Sequence, residues 1–475
     1  MPADSAAAVE AALRRGSVER TRLRARYFDT PDEALARSGL VLRLRQEGRN
    51  WVQTAKGPGD SGFERLEHNA TVERGAGEAA PDPARHAGHP VHAMLQKALR
   101  KAKGPLQPTF ETDVVRLART VRASGTQVEI AFDRGTVHAG GRSQTIRELE
   151  LELKQGSTAA LVELAQGWCE KHGLWLDPLP KSGLGRRIAE GAAEPPAVTW
   201  QPVPRGQANL LAALLDACLQ QILGNLRELA AGTGGDEHVH QLRVGLRHLR
   251  AFLRELRPLG AWAALPAHVE PALAGLFSVL GAHRDQATLL PALQQQVAHE
   301  GNPMQPWQPP LPDTAAAVRE PAVQSALLHL VALSQELREG GAPGAGAIRA
   351  LARKRLRQLH RKATRQGLRF ELLAEAERHR VRKRLKRLRY LAELMRPLFA
   401  TRKVQAYVAA LSDLQDALGR YQDAAAGRAL LAARAAQDPG AWFGVGWLAA
   451  REPALAAECA KACRRTVRQA HPFWR

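Results

Sequence analysis

Three glutamates stand at every second position in Ile146-Arg-Glu148-Leu-Glu150-Leu-Glu152-Leu-Lys154. In a strand, alternate residues share a face, so the three carboxylates form one row and Lys154 continues it. Arg43 and Arg45, in Val41-Leu-Arg-Leu-Arg45, make a row of opposite sign. Clustered carboxylates hold a hard divalent cation, and arginine and lysine grip phosphate oxygens. A metal held this way polarises a phosphorus centre and positions water. Two structural readings are open. Rows of both signs could face each other across the lumen of an antiparallel β tunnel, which suits a triphosphate. They could also be the solvated face of an ordinary sheet.

The second half carries a different device. His240-Gln-Leu-Arg243-Val-Gly-Leu-Arg247-His-Leu-Arg250 recurs 139 residues later as His379-Arg-Val-Arg382-Lys383-Arg-Leu-Lys386-Arg-Leu-Arg389. Steps of three and four keep residues on one helical face. Each copy is therefore a basic stripe beside a narrower apolar one. A second matched pair follows: Leu280-Gly281-Ala-His-Arg284-Asp285 and Leu418-Gly419-Arg-Tyr-Gln-Asp423. Asp285 and Asp423 are expected to brace neighbouring arginines. The stretch Arg378–Arg389 holds eight Lys/Arg and no acid, as does Arg353–Arg369. Such uncompensated runs destabilise isolated helices and call for a counter-anion. Two copies of the stripe imply a pseudo-symmetric surface that holds a long polyanion.

The elements that must position these residues divide the chain. Up to about residue 190, alternating runs such as Thr21–Phe28, Trp51–Lys56, Val114–Leu117 and Gln127–Phe132 predict strands, with helices over 6–15, 90–103 and 159–172. The proline-rich stretch Glu194–Pro204 reads as a linker. Beyond it, 210–231, 237–256, 348–366, 371–395 and 403–436 carry helical periodicity. The expected organisation is an α+β domain over 1–192, a linker over 193–206, and an all-α domain over 207–475. The internal repeat of that second domain splits at about 207–335 and 346–475.

The formal charge is +21, so nucleic acid, polyphosphate and anionic membrane surfaces are the partners to consider. Aromatic content of 5% supplies few stacking platforms for single strands. No nucleic-acid motif is evident, which leaves only non-specific nucleic-acid binding. No run of about 18 apolar residues occurs and no signal peptide is visible, so no membrane span is expected and the chain reads as cytoplasmic. Four scattered cysteines do not make a disulfide framework, and Cys459 and Cys463 read as buried helix residues. His86, His89 and His92 have metal-like spacing but lie in a Gly/Pro-broken loop.

Two resemblances attach to these residues. Tyr27-Phe-Asp29-Thr30-Pro31, Leu42-Arg43-Leu-Arg45, Trp51-Val-Gln-Thr54-Ala-Lys56-Gly, Ala131-Phe-Asp133-Arg-Gly and the Glu148–Lys154 row resemble the CYTH family of triphosphate tunnel enzymes. That resemblance implies an eight-stranded tunnel and Mg²⁺- or Mn²⁺-dependent triphosphate hydrolysis. Arg43, Arg45, Lys56, Arg116, Lys154 and Lys181 would bind phosphate, and Glu148, Glu150 and Glu152 would serve the metal and catalysis. The family's opening Glu-x-Glu-x-Lys strand is not found, since the chain begins at the helix that follows it. The expectation is a triphosphatase if that strand is encoded upstream, and otherwise an open, degenerate tunnel in a non-enzymatic scaffold. The repeated helices resemble the CHAD domain, which implies polyphosphate binding through His240, Arg243, Arg247, Arg250, His379, Arg382, Lys383, Lys386 and Arg389. It also implies association with polyphosphate granules.

Overall fold

The computed structural model describes residues 1–59, 65–72, 80–123, 125–191, 195–301, 304–341 and 343–474. The first residues of the expected linker, 193–194, lie outside them. In chain order the first half runs α1 (Ser5–Leu13), β1 (Glu19–Asp29), α2 (Ala34–Arg37), β2 (Val41–Glu47), β3 (Asn50–Pro58), β4 (Arg65–Val72), α3 (Pro90–Leu99), β5 (Gln107–Ala123), β6 (Thr126–Ala139), β7 (Arg142–Gln155), α4 (Thr158–His172) and α5 (Lys181–Glu190). The rest is helical: α6 (Leu210–Ala231), α7 (Asp236–Glu255), α8 (Val269–Arg284), α9 (Leu290–Ala298), α10 (Thr314–Arg319), α11 (Pro321–Glu339), α12 (Ala345–Gly367), α13 (Glu375–Leu394), α14 (Thr401–Ala410), α15 (Ser412–Arg434) and α16 (Ala441–Gln469). Two compact units result. One comprises Met1–Ala197, Leu226–Gly234 and Arg319–Ala332, and the other the remaining segments.

In the first unit the strands form one antiparallel sheet in the order β4-β3-β2-β1-β5-β6-β7. It is open among the described residues, with β4 and β7 as its edges. Alternation separates two faces. On the outer face, Val9 and Leu13 of α1 and Val162 and Cys169 of α4 cover Leu117, Val128, Ile130 and Phe132. Val91, Leu95 and Ala98 of α3 cover Leu42 and Ala55. Each fully buried leucine here stabilises the fold by about 1.5–3 kcal/mol.

The corner after β1 explains the Tyr27-Phe-Asp-Thr-Pro31 motif. Buried Asp29 accepts hydrogen bonds from the backbone N–H of Thr30, Leu35 and Ala36 at 2.7, 2.9 and 2.9 Å, so one carboxylate closes the turn into α2. Near the same corner, α5 lies against Phe110, which pairs with Tyr27 across β1 and β5. A Cβ at Gly185 would stand 2.2 Å from the Phe110 ring, so only glycine lets the helix sit this close.

In the second unit the two copies of the basic stripe lie on helices α7 and α13. α7 and α13 are helices of equal length, 20 residues, offset by 139. Each opens with its third residue, His238 or Glu377, returning a side-chain hydrogen bond to the backbone ahead of it. Each closes on a 3₁₀ turn of the same sequence, Arg257-Pro-Leu259 and Arg396-Pro-Leu398. Leu242, Leu246 and Leu249 of one copy and Val381, Leu385 and Leu388 of the other are buried. α8 runs through a π turn, Asp285–Leu289, into α9. No helix among the described residues is long and apolar enough to cross a membrane.

Candidate functional site

The concave face of the sheet has two poles. Register brings Arg43 beside Thr54 and Tyr27, and Val41 beside Lys56, so β1, β2 and β3 supply a cationic end. Arg43 is buried and, among the described residues, its Nε has no hydrogen-bond partner and its guanidinium reaches only the Tyr27 hydroxyl at 3.4 Å. Burial and the neighbouring Arg43 hold the Arg45 pKa below its ordinary value, although Glu47 is its partner. Lys56 pairs with Glu67 at 2.7 Å. A buried guanidinium with an open donor is costly unless an anion completes it.

The anionic pole comes from β5, β6 and β7, where Arg116 pairs with Asp133 and Asp133 with Glu148. Oxygens of Asp133, Glu148 and Glu150 lie within 4.8 Å of one another. Arg116 donates to both oxygens of Asp133 at 2.7 Å and to Glu150 at 2.5 Å. Lys181, delivered by the first turn of α5, bonds Asp133 at 2.7 Å, Glu150 at 2.9 Å and Glu148. Three carboxylates thus share two cations. Glu150 touches both and its pKa is held down, against the effect of its burial. Of these two cations Glu148 touches Lys181 alone, and desolvation with the neighbouring carboxylates pushes it up to about 7. The shared carboxylates push Lys181 and Arg116 up.

Of the residues expected to serve a metal, the structure brings Glu148 and Glu150 together but not Glu152, which is 65% exposed and bonds Lys154 at 2.8 Å. Asp133 takes the third place. Among the expected phosphate ligands, Arg43, Arg45 and Lys56 gather at the cationic pole. Arg116 and Lys181 are instead engaged with carboxylates, and Lys154 lies at the edge with Glu152. His86 is buried at the outer face. Its Nδ1 lies 2.9 Å from His68 Nδ1 and its Nε2 lies 2.9 Å from the Gln53 amide nitrogen, which uses both ring nitrogens. Burial and the surrounding histidines lower its pKa to about 4. All four cysteines are buried free thiols.

In the second unit, Arg243 and Arg247 on α7, Arg284 on α8, and Arg382 and Lys386 on α13 form one cluster with Asp285 and Asp423. None of these five cations has a carboxylate oxygen within 4 Å among the described residues. Burial and the four arginines hold the Lys386 ammonium down to about 6, and burial beside Arg247 holds Arg243 at about 10. Gly281 makes room for Arg243, whose guanidinium lies 4.6 Å over the Phe277 ring and bonds the Phe277 carbonyl at 3.2 Å. Arg382 Nε is buried without a partner. Burial lowers the pKa of both His240 and His379, and His379 lies 3.3 Å from Gln422. Lys383 is exposed beside His379, and Arg250 lies 5.8 Å from the Phe277 ring. Arg389 is different, being held by Glu393 at 2.8 Å and by Gln415 at 2.5 Å.

Two groups escaped the sequence reading. Arg284 sits in a matched motif beside the aspartate that marks it, and Asp133 lies just past the end of the alternating run Gln127–Phe132.

Comparisons with known proteins give two domain matches. Residues 3–179 match the CYTH domain model and residues 213–432 the CHAD domain model. An inorganic triphosphatase of Haemophilus influenzae is 33% identical over 146 residues, 30% of this chain and 38% of that relative. The match therefore spans well under half the length of the curated relative. The crystal structure of the CHAD domain from the plant Ricinus communis aligns with 59% of this chain and 97% of its own at 24% identity and a TM-score of 0.46.

Proposed function

From a chain that carries a CYTH domain followed by a CHAD domain, we propose a protein that hydrolyses tripolyphosphate on the concave sheet face and holds long-chain inorganic polyphosphate in the helical cation cluster. The observation that carries the first part is the bipolar face. Arg43 is a buried cation without an anion among the described residues, and it shares that face with three converging carboxylates. Arg43, Arg45 and Lys56 bind and orient the phosphate oxygens, with the guanidinium planes suited to two-point contact. Arg116 holds Asp133 and Glu150 in place through paired hydrogen bonds. Lys181 stands among the carboxylates, and its ammonium is equally suited to donate to phosphate oxygen.

The donor set fits a hard divalent cation, Mg²⁺ or Mn²⁺. It is all oxygen, its carboxylates outnumber the cations that neutralise them, and burial with the neighbouring carboxylates keeps the Glu148 pKa high. Asp133, Glu148 and Glu150 would hold the ion. When bound, such an ion supplies Lewis acidity at phosphorus and a more acidic water.

The second part rests on five clustered cations that lack close acid partners. A bare phosphate chain supplies the missing charge from several sides at once. A non-enzymatic polyphosphate- or nucleic-acid-binding scaffold is the rival reading, and Arg116 and Lys181 already neutralising the carboxylates favours it. Phosphate release from tripolyphosphate with Mg²⁺ or Mn²⁺ separates the two. The parent is expected to turn over and Glu150→Gln to lose all metal-dependent release. Intact polyphosphate binding with no release by the parent leaves the scaffold.

A further inference from the structure

α6 and α12 precede the two copies of the basic helix, and they differ in what they show to solvent. α6 is covered on nearly every side: Leu211, Leu214, Leu215, Cys218, Leu219 and Ile222 are fully buried. Ser334 and Arg338 of α11 reach its Asp216. α12 has one buried stripe, Ile348, Ala352, Leu356, Leu359 and Ala363. Away from that stripe lies an open cleft of about 320 Å³, lined by Ala350, Arg353, Lys354, Arg357, Gln358 and Arg361.

Arg353, Arg357 and Arg361 are four residues apart, so they form a row with steps of about 6 Å along the helix. They and Lys354 have no carboxylate oxygen within 4 Å among the described residues. Like charges at this spacing cost the helix stability. The row is built from other residues than the central cluster, whose cations lie on α7, α8 and α13. Helix α12 also packs directly against α13, which places the row and the Arg382–Lys386 part of the central cluster on one helical hairpin.

We propose that the outer face of α12 is a second phosphate track, which engages a distal segment of the same long polyphosphate chain held in the central cluster. The inference rests on the polyphosphate reading above and adds a consequence to it. Chains long enough to reach both groups bind by two linked contacts, and short ones by a single contact. An exposed row is also open to a duplex, so DNA enters the test as a competitor.

The experiment uses the full chain carrying Arg353→Gln, Arg357→Gln and Arg361→Gln together, with long-chain polyphosphate, tripolyphosphate and duplex DNA as probes. Helicity by circular dichroism should match the parent, since the replaced residues are exposed and mutually repelling. Affinity for long-chain polyphosphate should fall at least about tenfold, and its salt dependence should lose about two to three units of slope. Binding of tripolyphosphate should not change. Unchanged long-chain affinity, an equal loss for short and long chains, or a loss confined to DNA overturns the proposal. The cluster is tested separately with Arg247→Glu plus Lys386→Glu. If that variant binds long chains as the parent does while the α12 variant does not, the central-cluster reading fails and the α12 track stands alone. Because partial effects are informative, the single Arg357→Gln variant should give an intermediate loss, and no loss there counts against a continuous track.

Discussion

Polyanion binding in the helical unit should draw in a proton, and Lys386 is the group to watch. Burial and the surrounding Arg247, Arg382, Arg243 and Arg284 hold its ammonium at about 6, against an ordinary 10.5. At pH 8 only about one molecule in a hundred then carries that proton. A phosphate chain laid among the same arginines reverses the sign of the local field and restores the charge. Binding at pH 8 should therefore take up close to one proton at this site, while His240 and His379, both held low, stay neutral in the free protein. Calorimetry in buffers of different ionisation enthalpy reads the number directly, as the slope of observed heat against buffer heat. The parent should give about one and Lys386→Gln about zero. Linkage also requires affinity to weaken by about tenfold per pH unit between 7 and 9. The same site fixes a sign for stability. Between about 6 and 10.5 the unfolded chain holds more protons here than the folded one, so without ligand this site's contribution to stability rises with pH across that window. No proton uptake by the parent at pH 8, or equal uptake by Lys386→Gln, refutes this account of the cluster.

Two further outcomes follow from the geometry. Gly185→Ala should destabilise the first unit by about 1–3 kcal/mol, since its Cβ would stand 2.2 Å from Phe110; a denaturation midpoint equal to the parent's would show that α5 shifts freely. Long-chain polyphosphate should displace duplex DNA at equal phosphate concentration and near-physiological salt, and DNA should not displace polyphosphate. Symmetrical displacement would reduce the helical unit to a general polyanion binder.

The sequence exposes most of what depends on short-range periodicity. Alternation places Arg43 with Arg45 and Glu148 with Glu150, and the 139-residue echo marks both basic helices. Its limits are equally physical. Period two puts Glu152 in the same row as Glu148 and Glu150, but a row says nothing about which members meet residues from other strands. Only the register of β5 with β6 and of β6 with β7 brings Arg116, Asp133 and Glu148 side by side, and such pairings join residues far apart in the chain. Strand β4 and helix α5 were also hidden, the helix because it holds two glycines where a sequence pattern reads a loop. Lys181 was legible only by resemblance. Its position among carboxylates follows from the packing of α5 on Phe110.

The bonds that join α7 to α13 bear on how fast this protein works. His248 lies 3.0 Å from Glu393, Arg247 donates to the Tyr390 hydroxyl at 3.3 Å, and Arg387 donates to buried Glu255 at 2.6 Å. These ties span the two copies and hold the cationic helices together before any ligand arrives. A chain entering such a prebuilt cradle needs no closing motion, so the entropy of ordering is borne by the ligand alone. Capture should then be a single step at a rate set by long-range attraction, steeply slowed by salt and without a lag. Escape has no door to wait for either, and a long chain leaves by peeling away one phosphate contact at a time. Residence should consequently lengthen with each contact added, while the speed of capture hardly changes.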